Sequence, residues 1–182
     1  MLESLYREAE YLDFDGKFDE VMQQKVKGIR TDKTLWLSKK LFQDAFSGNH
    51  EKPIHLSLSY CPKLRSMLDI LYSLPFELNK KTILGLQAGE VMMLDCYNEG
   101  SYYKEHRDGG FGEADTGRKV TCVYMLPESS GGVVKVNGEE VELKRNRLLL
   151  LKSRKVSYEI PPTLHKTFLL SLFISGPCDS RQ

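Results

Sequence analysis

From Lys81 onward the chain breaks into short apolar or alternating runs, each closed by turn-forming residues. TILGLQ, VMMLDCY, KVTCVYML, GVVKV, EVEL, RLLLL, KVSYEI and FLLSLFI follow one another, separated by AGE, NEGS, GGFGEADTG, ESSGG and NG among other segments. Runs of this length with β-branched and aromatic content suit strands rather than helices. The Val136-Asn137-Gly138-Glu139 stretch is a hairpin signal, because Asn-Gly tolerates the positive φ angles of a two-residue turn. Eight strand candidates with turn chemistry between them predict an all-β barrel or sandwich and argue against a parallel α/β sheet.

The N-terminal part reads differently. Leu2, Leu5, Ala9 and Leu12 recur at helical spacing, and Phe18, Val21, Met22 and Val26 do so again after the Asp15-Gly16 break. A third helix is expected from Pro62 to Leu74, with Leu64, Met67, Leu68 and Leu71 on one stripe behind a proline at its start. Helices first and strands after, with no long linker, predict a single domain over 1–182. In it, 1–80 forms a mainly helical support packed on the outside of a jelly-roll core at 81–176. The fold class expected is therefore mainly β with N-terminal helices, a double-stranded β-helix.

At 182 residues and 41 % apolar content the chain can bury a sizeable core unaided. Its 26 basic and 25 acidic residues leave a formal charge of +1, which points to no nucleic acid and no anionic membrane as partner. The first thirty residues are charged throughout, and no apolar run approaches bilayer-spanning length, so neither secretion nor insertion is expected. Cys61, Cys96, Cys122 and Cys178 form no CxxC pair and no disulfide framework; buried, reduced thiols and a cytoplasmic or nuclear location are expected. Oligomeric state and organism leave no trace in the pattern.

The candidate chemistry lies in YYKEHRDGGFG, where His106 and Asp108 stand two residues apart. On an extended strand alternate side chains share a face, so both can reach one metal ion. An imidazole and a carboxylate, completed by a distant histidine, make the facial triad of non-haem iron(II) oxygenases, with positions left for a 2-oxoacid and O2. Read alone, the same residues also suit a solvated turn. Gly109, Gly110 and Gly112 precede no helix and match no phosphate-binding pattern; they predict a flexible loop over 109–117. His50 and His55, in a polar loop, and the pairs Lys39-Lys40 and Lys144-Arg145 are expected at the surface.

The longer stretch DCYNEGSYYKEHRDGGFGEADTGRKVTCVYML resembles the core of the prolyl 4-hydroxylases that act on hypoxia-inducible factor, within the iron(II)/2-oxoglutarate dioxygenases. A Cys-Tyr pair, a glycine-containing loop, H-x-D and GR-x-VTC follow in that family's order. Upstream GIRTDKTLWL, and downstream SGGVVKV, NRLLLLKS, SYEIPP and FLLSLFI, extend the resemblance over about Phe14 to Ile174. It implies a jelly roll that binds iron(II) and 2-oxoglutarate, with ascorbate as a supporting reductant, and hydroxylates a prolyl C–H in a protein or peptide. It implies His106 and Asp108 as metal ligands and Tyr97 as an oxoacid contact.

Three positions depart from the family pattern. Tyr158 stands where the second metal histidine belongs; Tyr158, His165 or water is then the third ligand. The oxoacid-clamping arginine falls on Thr167, with Lys166 beside it and Ser171 further along the same strand. Met125 follows Tyr124 where the family has a second tyrosine, and Phe173 is a further pocket-lining residue. Each change removes a polar contact to iron or oxoacid. Two readings therefore stand: an oxygenase with an altered, impaired site, and a catalytically inactive pseudoenzyme that keeps the jelly roll as a protein-interaction module.

Overall fold

A computed structural model describes residues 2–20, 28–48, 51–111, 115–126, 132–144 and 147–177. Among the described residues there are four helices and ten strands, the helices being α1 (Leu2–Phe14), α2 (Lys39–Phe46), α3 (Pro53–Ser59) and α4 (Pro62–Asn79). Ten strands follow or interleave: β1 (Asp19–Glu20), β2 (Lys33–Ser38), β3 (Gln87–Tyr97), β4 (Tyr103–His106), β5 (Arg118–Met125), β6 (Gly132–Val136), β7 (Glu139–Leu143), β8 (Leu148–Lys152), β9 (Tyr158–Ile160) and β10 (Thr167–Ser175). All pairings are antiparallel, in a six-stranded sheet ordered β1-β2-β3-β10-β5-β8 and a four-stranded sheet ordered β4-β9-β6-β7. This is a double-stranded β-helix with its helices outside.

Strand alternation sorts the apolar residues into two cores. On β10, Phe168, Leu170, Leu172 and Ile174 join Met92, Leu94 and Cys96 of β3 in a cluster shared with Leu5, Leu12, Leu64 and Leu68 of the helices. Leu169, with Tyr97, Val123, Met125, Val134, Leu143, Leu151, Tyr158 and Ile160, fills the space between the two sheets. The uninterrupted apolar run of β10 thus reflects burial on both faces, as a central strand requires. Each fully buried leucine contributes roughly 1.5–3 kcal/mol.

Polar contacts fasten the helical layer. Ser38 caps α2 by accepting from Leu41 N at 3.2 Å. The α4 cap residue Cys61 makes no side-chain capping bond, and Glu8 of α1 substitutes by accepting from Lys63 N at 3.0 Å and Leu64 N at 2.7 Å. Asn79 closes the far end of α4, bonding both the N–H and the carbonyl of Leu86 at 2.8 Å.

Several expectations are corrected. Asp19–Glu20 is a strand paired to β2 rather than part of a second helix, because the backbone there completes the sheet edge; Val21, Met22 and Val26 lie outside the described residues. TILGL is irregular, and AGE is no turn: QAGEVMMLDCY is one strand. Gly89 is needed because a Cβ there would lie 2.7 Å from the Phe173 carbonyl, next to a register shift between Leu172 and Ile174. His55 is buried in α3, not exposed; His50 lies outside the described residues. The Asn137-Gly138 hairpin is as expected, with φ of 49° and 85°. Cys61, Cys96 and Cys122 are buried free thiols, each pushed up to about 12 first of all by burial; Cys178 lies outside the described residues. Among the described residues, no helix is long and apolar enough to cross a membrane.

Candidate metal centre

His106 is the last residue of β4, where it sits opposite Tyr158 of β9. Asp108 lies just past the strand end, and the chain brings its carboxylate back so that Oδ1 is 3.6 Å from His106 Nε2. Thr121 of β5 donates to Asp108 Oδ2 at 2.8 Å, and its hydroxyl shares a 2.9 Å bond with Ser153. The Tyr158 phenol is near enough for the Asp108 carboxylate to act on it. Burial pushes the Asp108 carboxyl up, but the neighbouring imidazole and these hydroxyls outweigh it and hold the group below the usual carboxylate range.

The imidazole is oriented. His106 Nδ1 lies 2.8 Å from the Lys104 carbonyl, which can only accept, so Nδ1 carries hydrogen and Nε2 is the ring's second position. Nε2 is buried and has no hydrogen-bond partner. The ring is clamped between Tyr103, stacked at 3.7 Å between centroids, and Tyr158, tilted at 4.3 Å. Arg30 covers the far face of this column, its Cζ 4.2 Å from the Tyr103 ring centroid. Residues 29–31 reach that place by pairing with the start of β4: Lys104 N bonds the Ile29 carbonyl at 2.8 Å, and Thr31 N the Tyr102 carbonyl at 3.0 Å.

Behind the column lies an ion network that the sequence reading missed. Arg30 Nε donates to Asp32 Oδ1 at 2.7 Å, Nη2 reaches Asp32 Oδ2, and the same Nη2 is 3.1 Å from Asp95 Oδ1. All three side chains are buried. Burial, with Asp32 alongside, pushes the Asp95 carboxyl well above the ordinary range although Arg30 opposes this. The signal in the sequence was an aspartate inside the apolar run VMMLDCY, which demands a buried partner.

The remaining candidates divide. Tyr97, Met125 and Tyr158 lie between the sheets, and Leu169 marks the same inner face of β10. Thr167 and Ser171 share that face by two-residue spacing and are buried, with Thr167 Oγ1 donating to the His165 carbonyl at 3.1 Å. Lys166 is a correction. Its Nζ is 2.7 Å from Asp13 of α1, so strand alternation has turned the ammonium to the helical side, away from the barrel interior. Tyr124 is another: it packs in the helix-side core, not in the barrel. Phe173 lies under the Arg118 guanidinium at 3.8 Å. His165 is exposed on a bend. Gly109 is buried against Ser153 and Arg154, while Gly112 lies outside the described residues.

These residues fit a metal ion in part. Two acceptor-bearing atoms 3.6 Å apart, His106 Nε2 and Asp108 Oδ1, with Nε2 buried and unpartnered, call for a cation between them. Burial, with Asp108 alongside, pushes the phenol of Tyr158 well above its ordinary value, so it is held neutral. Among the described residues no group of three His, Cys, Asp or Glu side chains surrounds the site. The dicarboxylate 2-oxoglutarate fits poorly: Lys166 faces away, and Arg30 is already shared by two carboxylates.

Comparisons place this fold among known proteins. The sequence profile of the 2OG-Fe(II) oxygenase superfamily matches residues 92–172. No curated protein matches the sequence. A Pseudomonas putida prolyl-4-hydroxylase is similar in structure, with a TM-score of 0.68 at 20 % identity over 97 % of this chain and 86 % of that one. A Trichoplax adhaerens prolyl hydroxylase, solved with a hypoxia inducible factor peptide fragment, gives 0.60 at 20 % identity over 96 % and 78 %. Residues 92–172 thus match the 2OG-Fe(II) oxygenase superfamily, in a chain whose fold is similar to that of these two prolyl hydroxylases.

Proposed function

We propose that the protein is a prolyl 4-hydroxylase-type oxygenase that holds iron(II) at His106 and Asp108 and acts on a prolyl residue of a protein or peptide. The observation that carries this reading is the buried Nε2 of His106, which has no hydrogen-bond partner, is fixed in tautomer by the Lys104 carbonyl and lies 3.6 Å from Asp108 Oδ1. Bound iron supplies O2 activation coupled to oxidation of a 2-oxoacid. The chain's own residues do the rest. Thr121, itself hydrogen-bonded to Ser153, holds the Asp108 carboxylate in place. Tyr103 and Tyr158 fix the imidazole plane, and the apolar side chains between the sheets exclude water.

A second reading is favoured by one observation: Tyr158 directs a neutral phenol, not an imidazole, at Asp108. In that reading the barrel is a pseudoenzyme serving as a protein-interaction module. The two separate in one assay. Iron-loaded protein is incubated with proline-containing peptide pools, O2, ascorbate and 2-oxoacids, and peptides are mass-analysed. Gain of one oxygen on prolyl residues, lost in His106→Ala and Asp108→Asn, establishes the oxygenase. Metal binding without any gain establishes the pseudoenzyme.

A further inference from the structure

β8 is the outer strand of the six-stranded sheet, and among the described residues no strand pairs with its far side. Ser153 N donates to the Lys119 carbonyl, so by alternation Leu149 and Leu151 also direct their backbone groups at β5. The N–H and C=O of Leu148 and Leu150, and the N–H of Lys152, therefore point outward. Four consecutive leucines, Leu148 to Leu151, on such an edge make a template for pairing with another chain. A groove of about 460 Å³ runs against this edge. Its apolar walls include Leu84, Phe111 and Leu150, each about half exposed. Four cationic side chains line it, Lys119, Lys152, Arg154 and Lys155, and among the described residues no acidic one does. Arg154 is taken up by Asp115. Lys152 and Lys155 are exposed, and among the described residues neither has an ion-pair partner.

We infer that this edge and groove dock an extended segment of a partner protein, which adds to β8 as a further strand and carries an apolar and an acidic residue two positions apart. Leu148, Leu150 and Lys152 share one face of β8. The partner's apolar side chain lies beside the leucines on that face, and its carboxylate reaches Lys152 and Lys155. A second copy of this chain is the wrong occupant. Pairing two β8 edges about a two-fold axis would gather Lys152 and Lys155 of both copies, with no acidic lining residue among those described to meet them. None of the lining residues belongs to the metal centre, so the docking surface stands whether or not iron binds.

The test is NMR of the isotope-labelled native chain, titrated with the peptide Thr-Val-Thr-Val-Thr-Glu-Thr-Glu and with the same peptide carrying lysine for glutamate. In the free protein the amides of Leu148, Leu150 and Lys152 are expected to exchange with solvent faster than those of Leu149 and Leu151. The glutamate peptide is expected to slow them. It should bind at least about tenfold more tightly than the lysine peptide, and the double variant Lys152→Glu, Lys155→Glu should reverse that order. Both substitutions are at exposed positions, and if the variant does not fold, the two peptides on the native chain still decide. Equal binding of the two peptides, no binding of either, or binding that leaves the edge amides exchanging freely overturns the inference. Slow exchange at the edge without peptide, together with concentration-dependent sedimentation, assigns the edge to a second copy and overturns it too. Decanoate that shifts the groove resonances while neither peptide binds gives the groove to a small amphipathic anion, with the same consequence.

Discussion

Replacing Asp95 by asparagine tests the buried network through pH. The Asp95 side chain is 2 % exposed and is held in its protonated form above the ordinary value of 3.8. In the unfolded chain it ionises near that ordinary value. At pH values between the two, the folded state keeps a proton that the unfolded state has lost, so stability falls as pH rises. The slope for one such group is about 1.4 kcal/mol per pH unit, and it vanishes once pH passes the folded value. The asparagine side chain is close in size and keeps an oxygen towards Arg30, but it does not titrate. Urea denaturation of both proteins from pH 4 upward, in matched buffers, cancels the titration of every other group in the difference. The native protein should lose stability relative to Asp95→Asn as pH climbs from the ordinary carboxylate range, and then the difference should level off. A difference that is flat throughout, or one in which the native protein gains with rising pH, refutes the reasoning, because it would mean that Arg30 outweighs burial at Asp95.

Further expectations follow from other contacts. Arg30→Met leaves the Asp32 carboxylate buried without its cation and should cost about 3–5 kcal/mol in chemical denaturation at neutral pH. Tyr158→His places a second imidazole beside His106 and Asp108; calorimetry should show at least about tenfold tighter binding of a divalent metal, in line with the contribution of one added ligand. Lys166→Ala removes a half-exposed pair with Asp13 and should cost no more than about 1 kcal/mol, with 2-oxoacid binding to the iron-loaded protein unchanged; weakened oxoacid binding would return Lys166 to the site.

Legibility in the sequence followed the range of the forces involved. The Asn137-Gly138 turn was readable because its positive φ angles are a local demand. β10 was readable because FLLSLFI is apolar on both faces, and the His106–Asp108 pair because its spacing survives the end of β4. Gly89 misled because the same residue serves a turn and a close backbone approach, and only the nearness of the Phe173 carbonyl distinguishes them. β2 and α2 follow each other within Lys33–Phe46, and neither was expected, since β2 is held by pairing with β3 and α2 by a Ser38 cap. Lys166 was misplaced by a count of one: on a strand, a single residue reverses the face. The Arg30–Asp95 contact joins residues 65 apart, beyond the reach of any local pattern.

The central claim is that His106 and Asp108 bind a metal ion, and Mn(II) tests it most directly without dependence on oxygen or oxoacid. Purified native protein, His106→Ala and Asp108→Asn are titrated anaerobically with Mn(II), and the free ion is followed by electron paramagnetic resonance. The account predicts stoichiometric loss of the free signal with the native protein and retention of it with both variants, while their folding is unchanged by circular dichroism. Equal binding by all three proteins, or none by the native one, would contradict it.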